Sequence, residues 1–236
     1  MIAIKNISKH FGKLKALDGV TTTCEKAECI ALIGPNGCGK TSLIKTILGM
    51  VVPDCGSITF QDMNILNHWQ YRDQIGYMPQ IGRYPDNMTI GQVLGMMKDI
   101  RNKSDNLDDD LIRAFSINNL LNKRMGTLSG GTVQKVSAAL AFLFNPSVLI
   151  LDEPTAGLDP VASELFKEKI LAEKDKGKLV LITSHILSDL DDLVTRIMYM
   201  QDGKLIFHKS IEELKQDTGE DRLVKSIAQV MINNYE

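Results

Sequence analysis

The chain has 236 residues, of which 44% are hydrophobic and 24% are charged, and its formal net charge is −2. This length allows one large domain or two small ones with a real core, and the composition is that of an ordinary globular protein. The near-neutral charge provides no basic field for nucleic acid, and the longest unbroken apolar runs are far shorter than the roughly 20 residues of a membrane-spanning helix.

The first half of the chain is predicted to be rich in β-structure. Apolar patterning indicates strands in MIAIKNI, GVTTTC and ECIALIG, and further strands or strand ends in GSITFQ and QIGYMPQ. A short helix is predicted between Gly39 and Gly49. The pattern becomes helical from Thr89 to Leu121, where TIGQ has the form of a capping box.

The second half alternates helices and strands. GGTVQKVSAALAFLF predicts a helix that ends at Asn145-Pro146, and a second helix is predicted from about Pro160 to Lys176, with Asp159 as its N-cap. SVLILDEP and KLVLITSH predict buried strands, and IMYMQDGKLIFH predicts a hairpin that turns at Asp202-Gly203. The fold class is therefore α/β with a parallel core.

The loop GPNGCGKTS lies between the strand CIALI and the helical segment LIKTILGM. Its spacing matches the G-x-x-x-x-G-K-[ST] pattern, in which glycines let backbone N–H groups turn inward and the following helix aims its N-terminal dipole at phosphate. Lys40 is expected to reach the β- and γ-phosphates, and Thr41 or Ser42 can ligate Mg²⁺, with the pattern favouring Thr41. The predicted ATP-binding residues here are Gly34, Pro35, Asn36, Gly37, Cys38, Gly39, Lys40, Thr41 and Ser42.

A pair of carboxylates follows the buried strand in SVLILDEP. Carboxylates at the C-terminal edge of a parallel strand lie where ligands bind in open α/β sheets. Asp152 is predicted to hold Mg²⁺, directly or through water, and Glu153 to polarise the attacking water as general base.

A second helix N-terminus is formed by Ser129, Gly130 and Gly131, which precede a long helix. It offers another set of N–H donors to an anion, although one triphosphate already has the first loop on one side. This second site is expected to close over the other side of the γ-phosphate. Whether it can serve its own chain is left open by the sequence.

With these motifs in this order, the chain resembles the ATP-binding cassette (ABC) ATPases over essentially its whole length. In the resemblance, GPNGCGKTS is the Walker A motif, LILDEP the Walker B motif and LSGG the signature motif. Four further residues match by position: Phe11 of the aromatic loop, Gln80 of the Q-loop, Asp159 of the D-loop and the switch histidine His185.

The resemblance implies a P-loop NTPase fold with a parallel core sheet, an antiparallel β subdomain and a helical subdomain. It implies one cassette over residues 1–236, with 1–88 and 126–209 as the RecA-like core and β subdomain, 89–125 as the helical insert and 210–236 as a C-terminal helical extension. It assigns catalysis to Glu153, His185 and Gln80, and Mg²⁺ binding to Thr41, Gln80 and Asp152.

The resemblance also implies a head-to-tail homodimer that binds two ATP molecules between its chains. Phe11, the Gly34–Ser42 loop, Gln80, Asp152, Glu153 and His185 would act within one chain. Ser129, Gly130, Gly131 and Asp159 would act on the nucleotide of the other. Four residues depart from the family's usual pattern: Phe11 replaces tyrosine, Thr132 replaces glutamine, Lys135 replaces arginine, and Cys38 replaces a small residue.

The expected function is that of the ATP-binding and ATP-hydrolysing subunit of an ABC membrane transporter. Its partners would be separate transmembrane permease subunits and a second copy of the chain, not nucleic acid, and it would lie at the cytoplasmic face of the membrane. The alternatives are a soluble, non-transport ABC ATPase and a regulatory module that binds ATP without hydrolysing it; the presence of Glu153 and His185 argues against the second.

Overall fold

The structure, a computed structural model, describes residues 1–66, 68–184, 193–220 and 222–233. The chain divides into two compact units, one formed by residues 1–69 and 181–236 and the other by residues 70–180. In chain order the helices and strands are β1 (Ile2–Phe11), β2 (Leu14–Cys24), β3 (Cys29–Ile33), α1 (Lys40–Ile47), β4 (Cys55–Phe60), β5 (Met63–Asn64), β6 (Ile75–Met78), α2 (Ile90–Arg101), α3 (Asp110–Ala114), α4 (Gly130–Phe142), β7 (Val148–Asp152), α5 (Pro160–Asp175), β8 (Leu179–Thr183), β9 (Arg196–Gln201), β10 (Lys204–Ser210), α6 (Ile211–Thr218) and α7 (Leu223–Asn233).

The first unit contains an antiparallel sheet in the order β2-β1-β4-β5. A second sheet runs in the order β10-β9-β3-β8, with β3 and β9 parallel and β10 antiparallel to β9 at its edge. Every residue of β3 is buried, which agrees with the unbroken apolar run CIALI and makes this strand part of the core.

The hairpin between β9 and β10 turns where the sequence predicted it. Asp202 and Gly203 both have positive φ, 48° and 78°, the backbone that a tight two-residue hairpin requires. An Asp-Gly pair tolerates this backbone far better than β-branched residues do, so the turn fixes the pairing of the two strands.

In the second unit, β6 and β7 pair in parallel, from Ile75 opposite Val148 to Met78 opposite Leu151. Strand β8 begins in this unit and lies next to β7. The side chain of Phe166 on α5 is fully buried and meets Phe142 of α4 and Phe115 edge-on, at ring-centroid distances of 5.6 and 6.3 Å. These aromatic contacts form the core under α4 and α5.

The predicted helical stretch from Thr89 to Leu121 is less continuous than expected. The capping box at Thr89 and Gln92 is present, but α2 ends where Asn102 adopts a left-handed conformation, with φ 46°. Only the short helix α3 and a 3-10 turn follow before Leu121. The left-handed backbone at Asn102 ends the helix, and the N–H groups of Asn102 and Lys103 donate back to the carbonyl oxygens of Asp99 and Lys98. The polar residues that follow supply no apolar stripe for a further long helix.

Candidate functional site

Two glycines of the Gly34–Ser42 loop stand where the backbone passes too close to its neighbours for any side chain. A Cβ atom on Gly34 would lie 2.1 Å from the carbonyl oxygen of Met200, and one on Gly39 would lie 2.5 Å from that of Ala16. Gly39, with φ 110°, is also the N-cap of α1. The motif spacing therefore has a packing reason as well as a conformational one.

The start of α1 offers hydrogen-bond donors to an anion. No side chain caps α1 at Gly39. The N–H groups in the first turn of a helix have no acceptor within that helix, so those of α1 are available to a ligand. The ammonium of Lys40 donates to the carbonyl oxygens of Gly34 at 2.7 Å and Pro35 at 3.1 Å, which holds it over the same loop. N–H groups and a cation at one helix terminus are the donor set that a polyphosphate needs.

The first unit also contains Thr41 and Ser42, the predicted Mg²⁺ ligands of the loop, and Phe11, which is predicted to stack on the nucleotide base. Thr41 is exposed and Ser42 half-buried, and both carry the oxygen ligand that Mg²⁺ prefers. Phe11 is the last residue of β1, with its side chain 49% exposed and the ammonium of Lys9 5.7 Å from its ring centroid. An exposed ring of this kind can stack on a nucleotide base.

In the second unit, Asp152 is the last residue of β7 and is 9% exposed. Burial, and then the negative charge of Asp152, raise the pKa of the nearby Tyr77 phenol. Glu153 follows with φ 54°, so the chain turns sharply as it leaves the strand. Gln80 lies two residues beyond the end of β6 and is exposed.

The carbonyl of Glu153 is held from two sides. It accepts hydrogen bonds from the backbone N–H of Ala156 at 3.1 Å and from the side-chain amide of Gln134 at 3.4 Å. Gln134 lies on α4 and is 5% exposed. A left-handed glutamate is a costly conformation that persists where its surroundings fix it, and sites of this kind cluster where chemistry is done.

The two remaining predicted motifs lie at the N-termini of α4 and α5. The Ser129 hydroxyl caps α4 by accepting from the Thr132 N–H at 3.3 Å, and it lies 2.8 Å from the Thr132 hydroxyl. Gly130 and Gly131 form the first turn behind it. Asp159 caps α5 as predicted, accepting from the Ala162 N–H at 2.9 Å.

Lys135 of α4 joins these two helix starts. Its ammonium pairs with the Asp159 carboxylate at 2.6 Å. The hydrogen bond from Lys135 and that from the Ala162 N–H lower the pKa of Asp159.

In the first unit, the structure brings the residues of the Gly34–Ser42 loop together around Lys40. In the second unit, it brings Glu153 and Asp159 together beside α4. His185 lies outside the described residues. Gln134 is a residue that the sequence reasoning missed, and Lys135 was noted only as a departure from the usual arginine. The available signal was their place in the first two turns after LSGG.

The sequence of this chain is similar to those of known proteins. A family model described as ABC transporter matches residues 17–156. A Nod factor export ATP-binding protein I from Burkholderia lata is 32% identical over 213 residues, covering 87% of this chain and 69% of that protein. The lantibiotic transport ATP-binding protein SrtF of Streptococcus pyogenes is 31% identical over 214 residues, covering 90% of this chain and 92% of that protein.

Solved structures agree with these relatives. The ATP-binding subunit of an ABC transporter superposes with a TM-score of 0.91 at 26% identity, covering 98% of this chain and 99% of that one. An ABC transporter cassette solved as a dimer, at 22% identity and a TM-score of 0.79, shares the fold; it covers 89% of this chain and 99% of its own. The predicted family and fold class are thus confirmed.

No helix among the described residues has the length and apolar character to cross a bilayer. The chain belongs to the ABC transporter family, as an ATP-binding and ATP-hydrolysing subunit that energises transport.

Proposed function

We propose that ATP binds to the Gly34–Ser42 loop, with Lys40 on the β- and γ-phosphates and Phe11 stacked on the base. The observation that supports this most strongly is the uncapped first turn of α1 beside the Lys40 ammonium. A side-chain cap at Gly39 would have occupied these donors, whereas glycine leaves them to a ligand.

Mg²⁺ would be held by Thr41, Gln80 and Asp152, each of which carries a side-chain oxygen. The ion, when bound, neutralises charge that develops on the phosphate oxygens. Mg²⁺ is usually held by one or two carboxylates together with waters and substrate phosphates, and Asp152 would supply the carboxylate here.

Glu153 would act as general base on the attacking water, and His185 and Gln80 would support it. Its backbone, turned at φ 54° and held by Gln134, gives its carboxylate a defined starting point at the end of β7. Ser129, Gly130, Gly131 and Asp159 would contact the ATP that a second copy of the chain holds. Two such sites would form in a two-fold dimer, because a two-fold pairing repeats each contact.

We place the chain at the cytoplasmic face of a membrane, and we propose export as the direction of transport. The Burkholderia lata relative is named for Nod factor export, and the Streptococcus pyogenes relative is named for lantibiotic transport. These cargoes are chemically different, which supports assigning cargo selection to the membrane-spanning subunits.

The test of this function compares ATP turnover by the wild-type chain with that of Glu153→Gln. Removing the base should slow turnover by about 100-fold or more while ATP binding is retained. Glu164→Gln is the matched control, because Glu164 is an exposed carboxylate of the same unit that pairs only with Lys167 among the described residues, at 3.0 Å. Equal turnover in wild type and Glu153→Gln would assign the base elsewhere.

A further inference from the structure

Three contacts connect the first two turns of α4 to the segment from Glu153 to Asp159. A Cβ atom on Gly131 would lie 2.6 Å from the carbonyl oxygen of Gly157, so the two backbones are in close approach. One turn on, Gln134 donates to the Glu153 carbonyl, and Lys135 pairs with Asp159. The helix thus touches the segment at its beginning, near its middle and at its end.

The Lys135–Asp159 pair is better suited to positioning than to stability. The two side chains are 25% and 52% exposed, and exposed pairs contribute little to folding free energy because water screens them. Asp159 also caps α5, and the Lys135 ammonium lies 5.9 Å from the centroid of the Phe115 ring. The pair therefore fixes the start of α5 against α4.

Gln134 acts at the other end of the segment. Its amide is buried, and its side chain reaches the carbonyl of a residue whose φ is 54°. Because the Cα–Cβ direction follows from the backbone, holding this peptide also sets the direction in which the Glu153 carboxylate leaves the chain.

We infer that Lys135 and Gln134 are positioning residues that link the signature residues Ser129–Gly131 to Glu153 and Asp159 of the same chain. The inference rests on the proposed function, in which Ser129–Gly131 contact ATP held by a second chain. In the dimer, the start of α4 would contact the ATP bound to the second chain. It would also hold Glu153, which acts on the ATP bound to its own chain. In this way the two ATP sites of the dimer would be coupled through α4.

The experiment uses the full chain and removes the charge of Lys135 while keeping its apolar stem, as Lys135→Met. We expect kcat for ATP to fall about fivefold with KM within about twofold of wild type, and Lys135→Arg to restore kcat. Lys167→Met is the matched control, since it breaks an exposed lysine–carboxylate pair on α5 at 3.0 Å and should leave kcat unchanged.

A double-mutant cycle assigns the effect to the pair. Asp159→Asn keeps a side-chain oxygen for capping α5, so Lys135→Met combined with Asp159→Asn should lower kcat no further than Asp159→Asn alone. Full additivity of the two effects would overturn the inference. So would a Lys135→Met chain with wild-type kcat, or one in which KM changes as much as kcat.

Amide hydrogen exchange provides a readout that does not require turnover. Exchange in residues 153–159 should be faster in Lys135→Met and in Gln134→Met than in wild type or Lys167→Met. Unchanged exchange in both variants would overturn the inference. A wild-type chain that binds ATP without hydrolysing it would instead contradict the proposed function, and the exchange result would still decide whether α4 holds this segment.

Discussion

Lys40 is the residue on which nucleotide binding should depend most strongly. Its ammonium donates to the carbonyl oxygens of Gly34 and Pro35. A bound phosphate would replace these neutral acceptors with charged oxygens. Lys40→Ala should lose detectable ATP binding in calorimetry, because it removes a cation worth several kcal/mol at a phosphate.

The matched control for Lys40 is Lys45→Ala, which removes an exposed lysine from the last turn of the same helix. Its ATP affinity should equal that of wild type. If Lys40→Ala bound ATP as tightly as Lys45→Ala, the Gly34–Ser42 loop would not be the phosphate site.

The substitution at Thr132 has a local structural account. Its N–H and its hydroxyl both contact the Ser129 hydroxyl, so the threonine takes part in capping α4. The usual glutamine has no hydroxyl for this second contact. Thr132 therefore restrains the Ser129 side chain, which the proposed function requires for phosphate contact.

Among the elements, α5 carries a buried charge cluster that no motif indicated. The Glu173 carboxylate is fully buried and pairs with Lys169 at 3.0 Å, Lys176 at 2.7 Å and Lys178. Lys169 also bonds Asp108 at 2.6 Å and Asp110 at 2.7 Å, at the start of α3. The cluster therefore attaches α5 to the predicted helical insert.

The cluster predicts acid sensitivity. Burial by itself would raise the pKa of Glu173, but hydrogen bonds from Lys176, Lys178 and Lys169 outweigh it and lower the pKa from 4.5 to about 2. A lowered pKa means that the folded state binds the proton less readily than the unfolded state does. The stabilisation by Glu173 is thus complete above about pH 4.5 and is lost as the pH falls towards about 2.

Glu173→Gln should lower the free energy of unfolding at pH 7 by about 3 kcal/mol, since it leaves clustered lysines without their buried partner. Urea unfolding across pH should also show a weaker pH dependence between about 4.5 and 2 than in wild type. Asp175→Asn, at a carboxylate that is 72% exposed on the same helix, is the control and should change neither quantity. A Glu173→Gln chain as stable as this control would show that the cluster contributes nothing net.

At the scale of the whole molecule, the proposed dimer predicts complementation between two inactive chains. Lys40→Ala cannot bind ATP, and Ser129→Arg places a bulky side chain at the proposed γ-phosphate contact. In a mixed dimer both lesions fall in one composite site, and the other site keeps an intact loop and an intact signature. Mixing the two chains should therefore restore ATP turnover, up to what one site can do.

The mixed dimer is checked by binding as well as by turnover. With Glu153→Gln added to both chains, mixed dimers should hold one ATP per dimer between the two chains. The Lys40→Ala parent should bind none, and the Ser129→Arg parent, whose Gly34–Ser42 loop is intact, should bind ATP without holding it between two chains. No retained nucleotide in dimers that are shown to form would mean that the signature does not serve the other chain. Ser129→Arg also removes a helix cap worth about 1 kcal/mol, so its melting temperature is measured alongside.

The predicted subdomain boundaries at 88/89, 125/126 and 209/210 stay a prediction. They followed the positions of motifs and helical patterns, whereas the two compact units meet in sequence at 69/70 and 180/181. The assignments of individual site residues also remain predictions, including that of His185. The family, the fold class and the role as an ATP-hydrolysing transporter subunit are confirmed.

The sequence by itself determined the features that depend on neighbouring residues. The Gly34–Ser42 loop, the capping box at Thr89, the cap at Asp159 and the turn at Asp202-Gly203 were all predicted, because local backbone chemistry decides each of them. The same holds for Asp152 and Glu153, whose place follows from the buried strand before them.

Only the tertiary structure decided which distant side chains meet. Gln134 contacts Glu153 across 19 residues, Lys135 contacts Asp159 across 24, and Lys169 contacts Asp108 across 61. A lysine or glutamine in a helical pattern is compatible with an exposed face or with a buried bond. Which of these it adopts depends on the packing of α3, α4, α5 and the segment after β7, and periodicity along one chain carries no information about that packing.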